Sequence, residues 1–175
     1  IGAPHDRYFA GVNQLLKTSG PGRPVMMLDL DRVNHNIDQI VASVVPSKTF
    51  RIVVKSLPSL PLLRHVMARA NTNALMVFHQ PFINEIAQSI PQADVLIGKP
   101  MPVNAAATFY QKLIPGGFDP QTQLQWLIDS DARLKEYLEL ARRLDRRLRI
   151  NVEIDVGLRR GGPTEPRHLT APCPV

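Results

Sequence analysis

The feature that most constrains the fold is an alternation of short apolar runs with longer segments that carry apolar residues on one helical face. The spacing predicts strands over residues 25–30, 51–55, 74–78, 94–98, 123–128 and 150–156. It predicts helices over residues 5–17, 31–45, 60–70, 81–89, 103–113 and 131–148, the second of them capped by Asp31. Short strands that alternate with such helices are typical of parallel βα units.

Parallel βα units close in two ways, as a doubly wound sheet or as a barrel. No Gly-x-Gly-x-x-Gly follows a strand and no Walker-type glycine loop occurs, which disfavours a nucleotide-binding doubly wound sheet. A complete barrel has eight strands and typically about 250 residues, whereas this chain has 175. We therefore expect an α/β fold that is a partial (β/α)8 TIM-type barrel. It has about five of the eight barrel strands, plus an N-terminal strand and helix.

The positions of glycine and proline divide the chain into three predicted regions. Residues 1–22 are expected to form an N-terminal helix and a linker, because Ser19-Gly20-Pro21-Gly22 breaks the helical pattern. Residues 23–162 are expected to form the partial barrel. Residues 163–175 are expected to be an unstructured tail, because four prolines exclude a helix or a central strand there. Since the chain begins without Met, we expect it to be a piece of a longer protein. Because the last three strands of a complete barrel are missing, we expect that piece to be an N-terminal fragment.

Composition restricts the location and the partners. No run of apolar residues is long enough to span a membrane, and no signal peptide is visible. The single cysteine, Cys173, excludes an internal disulfide and a multi-cysteine zinc site, so a cytoplasmic location is expected. The formal charge of +6 permits anionic partners. Much of the positive charge lies near the end of the predicted helix 131–148. We interpret this cluster as a solvated helix end rather than a nucleic-acid site; it consists of Arg142, Arg143, Arg146, Arg147 and Arg149.

Lys55 is the first candidate for chemistry. It ends an apolar strand, and in a barrel the groups at the C-terminal ends of strands face the active site. A lysine that is partly desolvated in such a place can form an imine with an aldehyde. The alternative from this feature alone is a solvated lysine at a strand end.

Two carboxylates near the last predicted strand are the second candidate. Glu153 and Asp155 are two residues apart, so a strand places both on one face, which points inward in a barrel. Buried carboxylates need cationic or hydrogen-bonding partners, and Arg159 or Arg160 are available to supply them. A purely structural ion pair at the strand end is an equal alternative.

Three segments in this order resemble one known family. Residues 25–37 (VMMLDLDRVNHNI) are similar to the apolar opening of the alanine racemase N-terminal-domain family, with its Asp-Leu-Asp and the following Asn-Ile. Residues 51–56 (RIVVKS) resemble the strand that carries the family's pyridoxal-phosphate lysine. Residues 153–162 (EIDVGLRRGG) resemble its Asp-Thr-Gly-x-x-Arg-x-Gly segment. The resemblance covers residues 23–162.

Within this family, Lys55-Ser56 and the Val-Glu-Ile-Asp-x-Gly run look closest to the branch of D-threonine aldolase and D-serine dehydratase. The resemblance implies a fold-type III pyridoxal-phosphate enzyme with a (β/α)8 barrel and a second β-domain. It implies that Lys55 is the Schiff-base lysine and that Arg160 hydrogen-bonds the phenolic oxygen of the cofactor. His79, which follows the predicted strand 74–78, is a further candidate for the cofactor site, with a polar loop residue as the alternative.

The implied function is a pyridoxal-phosphate-dependent lyase that cleaves D-3-hydroxy amino acids to glycine and an aldehyde. The alternatives are a D-serine dehydratase or amino-acid racemase of the same fold, a non-catalytic pyridoxal-phosphate protein, and a basic binding protein without cofactor. The resemblance also implies a divalent metal in the full-length enzyme, with ligands outside this chain, and a homodimer. No nucleic-acid or membrane partner is expected, and activity of the fragment alone stays open.

An incomplete barrel is expected to be less stable and more prone to association than a closed one. Five parallel strands leave two unpaired edges and an open apolar interior. We therefore expect the isolated chain to aggregate, to pair with a second copy, or to be marginally stable. His168 and Cys173 lie in the proline-rich tail and are not expected to form a metal site.

Overall fold

A computed structural model describes residues 6–157 and 162 of the chain. Its helices are α1 (Arg7–Ser19), α2 (Leu30–Ser43), α3 (Leu60–Arg69), α4 (Gln80–Ser89), α5 (Val103–Lys112), α6 (Pro120–Gln123) and α7 (Asp131–Leu144). Its strands are β1 (Ile52–Val53), β2 (Ala74–Val77), β3 (Asp94–Ile97), β4 (Leu124–Ile128) and β5 (Arg149–Val152). One 3₁₀ turn, Val54–Ser56, follows β1 directly.

The five strands form one parallel sheet in the order β1-β2-β3-β4-β5. Crossovers between parallel strands are right-handed in nearly all proteins, so a sequential order places every connecting helix on the same face. This is the arrangement of a TIM barrel, in which the helices form the outer layer. The sheet confirms the α/β class and the partial barrel of about five strands.

Buried and half-buried residues alternate along the strands, so the sheet has one face covered by helices and a second, less buried face. Leu75 and Val77 of β2, Val95 and Ile97 of β3, and Trp126 of β4 are buried. The residues between them, such as Met76 and Leu96, are only half-buried and point to the other side. We call that other side the inner face. Trp126 is fully buried, which confirms its expected place in the core.

A row of polar side chains on the inner face joins four strands or strand starts. Arg51, just before β1, donates to Asp94 Oδ2 of β3 at 2.5 Å. Gln125 of β4 donates to the other oxygen of Asp94 at 3.0 Å, and Asn151 of β5 donates to Gln125 Oε1 at 2.9 Å. Arg51 also donates to the carbonyl oxygens of Leu75 and Asp94. The row therefore links the strands through side chains as well as through the backbone ladder.

The predicted strand over residues 25–30 is wrong. Residues 24–29 have no regular secondary structure, and Met26 is 93% exposed. A strand needs a neighbour for its backbone hydrogen bonds, and no described strand pairs with this segment. The expected cap is also displaced. Asp29, rather than Asp31, caps α2, because its Oδ1 accepts the amide of Arg32 and its carbonyl oxygen accepts the amide of Val33.

The end of α7 and the bounds of β5 differ from the prediction. Helix α7 stops at Leu144 instead of continuing to 148, because Asp145 adopts a left-handed conformation with φ of 48°. The amide of Arg146 then donates to the carbonyl of Ala141, which is the closing bond of a Schellman motif. Strand β5 covers residues 149–152 rather than 150–156. The short helix α6 before β4 was not predicted.

The described residues up to His35 form one compact unit, and those from Asn36 onward form another. In the first unit, Tyr8 of α1 donates a 2.7 Å hydrogen bond to Asp29, and the Arg32 guanidinium lies 3.8 Å from the centre of the Tyr8 ring. The division at residues 22 and 162 stays a prediction, and residues 163–175 lie outside the described part of the chain. Among the described helices, none is long and apolar enough to cross a membrane.

Candidate functional site

Lys55 lies immediately beyond β1, at the C-terminal end of the sheet. It is the middle residue of the 3₁₀ turn, which closes when the amide of Leu57 donates to the carbonyl of Val54 at 2.9 Å. Val54 is fully buried and fixes the turn in the core, whereas the Lys55 side chain is exposed. The structure therefore places Lys55 within the turn that follows the strand rather than in the strand itself, at the end predicted from the sequence.

The ammonium of Lys55 contacts an aromatic ring. Its Nζ lies 4.2 Å from the centre of the Phe78 ring, which is the geometry of a cation–π interaction. Phe78 follows β2 directly and is half-buried. Sequence reasoning did not select it. The available signal was its position two residues after Met76, which places it on the inner face at the same end of the sheet as Lys55.

Gly98 provides the space in which the Phe78 ring lies. A Cβ atom built on Gly98 would lie 2.5 Å from Phe78 Cζ and 2.8 Å from Met76 Cγ. Both distances are far below van der Waals contact, so a side chain at this position would displace the ring. Gly98 is not among the residues with positive φ, so space, not backbone conformation, is the reason for a glycine here.

His79 is held at the start of α4. Its Nδ1 accepts the amide N–H of Phe82 at 3.3 Å, which makes it the N-cap of the helix. Its ring centre lies 5.8 Å from that of Phe82, and the side chain is exposed. The described contacts of His79 are thus those of a helix cap, and its place in a cofactor site stays a prediction.

Glu153 and Asp155 differ in what they contact. Strand β5 ends at Val152, but the amide of Glu153 still donates to the carbonyl of Ile128 at 2.8 Å and extends the ladder by one bond. Its Oε2 is buried and has no hydrogen-bond partner among the described residues. Asp155 Oδ1 instead accepts the amide of Gly157 at 2.9 Å. The prediction of two carboxylates on one strand face is therefore wrong, because the strand ends before both.

The predicted cationic partners of these carboxylates, Arg159 and Arg160, lie outside the described residues. Gly162, which is described, passes close to the end of β5. It has a φ of 86°, and a Cβ there would clash with the carbonyl of Glu153. Both facts require glycine at this position. Gly162 therefore lies against the backbone of Glu153.

The arginine-rich end of α7 lies at the opposite end of the sheet. In parallel βα units the helix ends lead into the strand starts, so this end is distant from the turn that carries Lys55. A cavity of about 580 Å³ is found there, lined by Tyr110, Asp119, Arg143 and Arg146 among others. Arg142, Arg143, Arg146 and Arg147 are exposed, as expected for a solvated helix end.

The C-terminal ends of four strands thus present a defined set of groups. An exposed primary amine stands next to an aromatic ring, and the ring is seated on a glycine. A buried carboxylate oxygen of Glu153 has no hydrogen-bond donor among the described residues. These groups fit a flat aldehyde, because the amine can condense with it and the ring offers an apolar surface beside it. Within the described part of the chain, no three His, Cys, Asp or Glu side chains are grouped to hold a metal ion.

Comparison with known proteins gives one result that bears on this site. No curated protein matches the chain. The family model described as "Alanine racemase, N-terminal domain" matches residues 28–172, which is most of the 175 residues. The match spans all five strands of the parallel sheet. The chain therefore belongs to the alanine racemase N-terminal domain family, a domain that implies a pyridoxal-phosphate-dependent enzyme of fold type III.

Proposed function

We propose that this chain is the cofactor-binding part of a pyridoxal-phosphate enzyme and that Lys55 is the residue that binds the cofactor covalently. The observation that carries the proposal is the place of Lys55, exposed at the C-terminal end of the first strand of a parallel βα sheet. Functional groups of TIM-type barrels lie at that end. The family to which the chain belongs supports the cofactor.

Each described residue has a distinct task in this proposal. When bound, pyridoxal phosphate accepts the electron pair released as a bond to the α-carbon of an amino acid breaks. The Lys55 amine holds the cofactor and is placed to accept or return a proton when a substrate amine displaces it. Phe78 offers an apolar face beside the amine. Glu153, whose buried oxygen lacks a donor among the described residues, is placed to orient a cationic group, for which we propose Arg160.

The finer assignment is a lyase that acts on D-3-hydroxy amino acids by retro-aldol cleavage to glycine and an aldehyde, as in D-threonine aldolase. The support is the sequence resemblance at Lys55-Ser56 and at residues 152–157. D-serine dehydratase, an amino-acid racemase and a non-catalytic pyridoxal-phosphate protein remain the alternatives. Three product assays separate them in the full-length enzyme: glycine from D-threonine, pyruvate from D-serine, and inversion of alanine.

Three further features of the whole enzyme belong to the same proposal. They are a divalent metal that binds the substrate hydroxyl, a homodimer, and a cytoplasmic location. The metal rests on the resemblance alone. If it is present, a chelator will abolish cleavage of D-threonine by the full-length enzyme, and added Mn²⁺ or Mg²⁺ will restore it. Cleavage that persists unchanged after exhaustive chelation would rule out the metal.

Binding of two cofactor forms tests the role of Lys55. Pyridoxal phosphate has the aldehyde that an amine needs, whereas pyridoxamine phosphate has the same ring and phosphate without it. We expect the chain to bind the aldehyde form at least about tenfold more tightly, a difference of about 1.4 kcal/mol. Lys55→Ala should remove this preference. Lys99→Ala is the matched control, because Lys99 is also exposed and follows β3 at the same end of the sheet.

Equal affinity for the two cofactor forms in the wild-type chain would contradict the proposal. A preference that survives in Lys55→Ala but is lost in Lys99→Ala would show that Lys99, and not Lys55, binds the cofactor covalently. Retention of the preference in both variants would show that the aldehyde is bound elsewhere.

A further inference from the structure

We propose that Phe78 is a positioning residue for Lys55 and that Gly98 permits this by leaving room for the ring. The inference rests on the proposed function of Lys55. It concerns three residues from three neighbouring strand ends, Lys55 after β1, Phe78 after β2 and Gly98 after β3. Together they form a stack, in which the glycine is the base, the ring is the middle and the amine is the top.

The upper contact of the stack is electrostatic. The 4.2 Å distance from Lys55 Nζ to the Phe78 ring centre is well within the range in which the ring quadrupole attracts a cation. A lysine side chain has four rotatable bonds, so an exposed lysine without such a contact samples many positions. The ring therefore selects the positions in which Nζ lies over the inner face of the sheet.

The lower contact is steric. The Phe78 ring atoms Cζ and Cε1 would lie 2.5 Å and 2.6 Å from a Cβ at Gly98, so no other residue allows the ring to stay where it is. The amide of Gly98 also donates to the carbonyl of Val77 at 2.9 Å, which fixes β3 next to the residue that precedes Phe78. A side chain at Gly98 must therefore move the ring rather than the strand.

Competitive labelling measures the contact without any cofactor. The full chain is treated with a trace of acetic anhydride, and the acetylation of Lys55 is divided by that of Lys99 in the same molecules. An amine that rests against the ring is shielded from the reagent on that side, so loss of the ring should raise this ratio about two- to fivefold. We expect the increase in Phe78→Leu and in Gly98→Ala, and we expect Phe78→Tyr, which keeps the ring, to retain the wild-type ratio.

Two controls separate the stack from general effects on folding. Gly116→Ala adds the same atom where the nearest neighbour is 3.9 Å away, so it should leave the ratio unchanged. In a Phe78→Ala background, Gly98→Ala should not change the labelling ratio further, because the ring is absent and the remaining close neighbour, Met76 Cγ at 2.8 Å, does not belong to the stack with Lys55. An effect of Gly98→Ala that persists in that background would show that the glycine does not act through Phe78.

The affinity for pyridoxal phosphate connects the contact to function. We expect Phe78→Leu and Gly98→Ala to weaken it about two- to fivefold, and Phe78→Tyr to preserve it. An unchanged labelling ratio in folded Phe78→Leu would overturn the contact. A changed ratio with unchanged affinity would overturn the positioning role. If Lys55 itself proves irrelevant to cofactor binding, the proposed function fails, whereas the labelling ratio still reports whether Phe78 holds this lysine.

Discussion

Two aspartates that both pair with an arginine show how much the surroundings of one residue matter. Asp94 pairs with Arg51 at 2.5 Å, and the two side chains are 30% and 21% exposed. Asp38 pairs with Arg69 at 2.6 Å, but those side chains are 51% and 39% exposed. Solvent screens the second pair more strongly, whereas Asp94 also accepts a hydrogen bond from Gln125. The two carboxylates should therefore differ in their contribution to stability.

We predict that Asp94→Ala lowers the free energy of unfolding by about 2 kcal/mol, because it leaves Arg51 without its carboxylate and Gln125 without its acceptor. The matched variant Asp38→Ala should lower it by no more than about 1 kcal/mol. Urea unfolding of both variants measures the difference. Equal losses in the two variants would show that the polar row on the inner face contributes no more than a surface ion pair.

At the residue scale, the sequence indicated the position of Lys55 at the C-terminal end of a strand, but it did not indicate which residues lie beside it. A basic residue at the end of an apolar run is conspicuous. Because the strands are parallel, a residue at the C-terminal end of one strand lies at the same end of the sheet as the C-terminal residues of the others. Phe78 ends an apolar run too, but an aromatic residue there reads as core. Gly98 reads as a turn residue. Their roles depend on contacts between different strands, which a single sequence does not reveal.

Packing between helix and sheet is clearest where α5 meets β4. Trp126 of β4 is fully buried, and its indole N–H donates to the hydroxyl of Tyr110 of α5 at 3.0 Å. The ring centres of the two residues lie 6.1 Å apart. Burial raises the pKa of Tyr110 to about 12. This one hydroxyl thus joins the two elements by a hydrogen bond and makes their association sensitive to alkaline pH.

We predict that Tyr110→Phe lowers the free energy of unfolding by about 1–3 kcal/mol at neutral pH, because the buried indole N–H loses its acceptor. In the unfolded chain a tyrosine ionises near pH 10, whereas Tyr110 in the folded chain stays neutral to about 12. Unfolding therefore releases a proton between these values, and the wild type loses stability as the pH rises through this window.

Tyr110→Phe lacks this ionisation, so the difference between it and the wild type should shrink above about pH 10. Chemical denaturation at a series of pH values measures this. Trp126→Phe is the control, because it removes the hydrogen-bond donor but retains the titrating hydroxyl, and it should keep the alkaline loss. Parallel stability curves for wild type and Tyr110→Phe would contradict the prediction.

At the element scale, prediction succeeded in the middle of the sheet and failed at its ends. Strands β2, β3 and β4 agree with the predicted ranges to within one residue, because each lies between two other strands and is buried on one face. The segment at 25–30 has the same apolar character, but none of the described strands pairs with it. A sequence shows whether a run is apolar, but pairing depends on residues far along the chain.

At the scale of the whole molecule, apolar side chains of strand β5 are exposed at one edge of the sheet. Ile150 and Val152 pair in register with Trp126 and Ile128, which are fully buried under helices. Ile150 and Val152 are themselves 41% exposed, because no described element covers that part of the face. Within the described part of the chain, β5 also has β4 as its one neighbouring strand. An uncovered apolar edge strand is a site of self-association.

We predict that the wild-type chain associates with itself as its concentration rises and that Ile150→Thr/Val152→Thr reduces this association. Threonine keeps the β-branched shape that suits a strand and removes apolar surface. Sedimentation velocity at several concentrations measures the effect. Ile114→Thr, which changes an exposed apolar residue outside the sheet, should have no effect. A wild-type chain that stays monomeric at all concentrations would contradict the prediction.

For the whole molecule, we propose that this half barrel presents one lysine, Lys55, to an aldehyde cofactor. The most direct measurement is borohydride reduction of the chain with pyridoxal phosphate, followed by peptide mass mapping. We predict one adduct per chain on Lys55, its loss in Lys55→Ala and its retention in Lys99→Ala. Adducts scattered over many lysines, with the same total in Lys55→Ala, would contradict the claim and show that the chain has no cofactor site of its own.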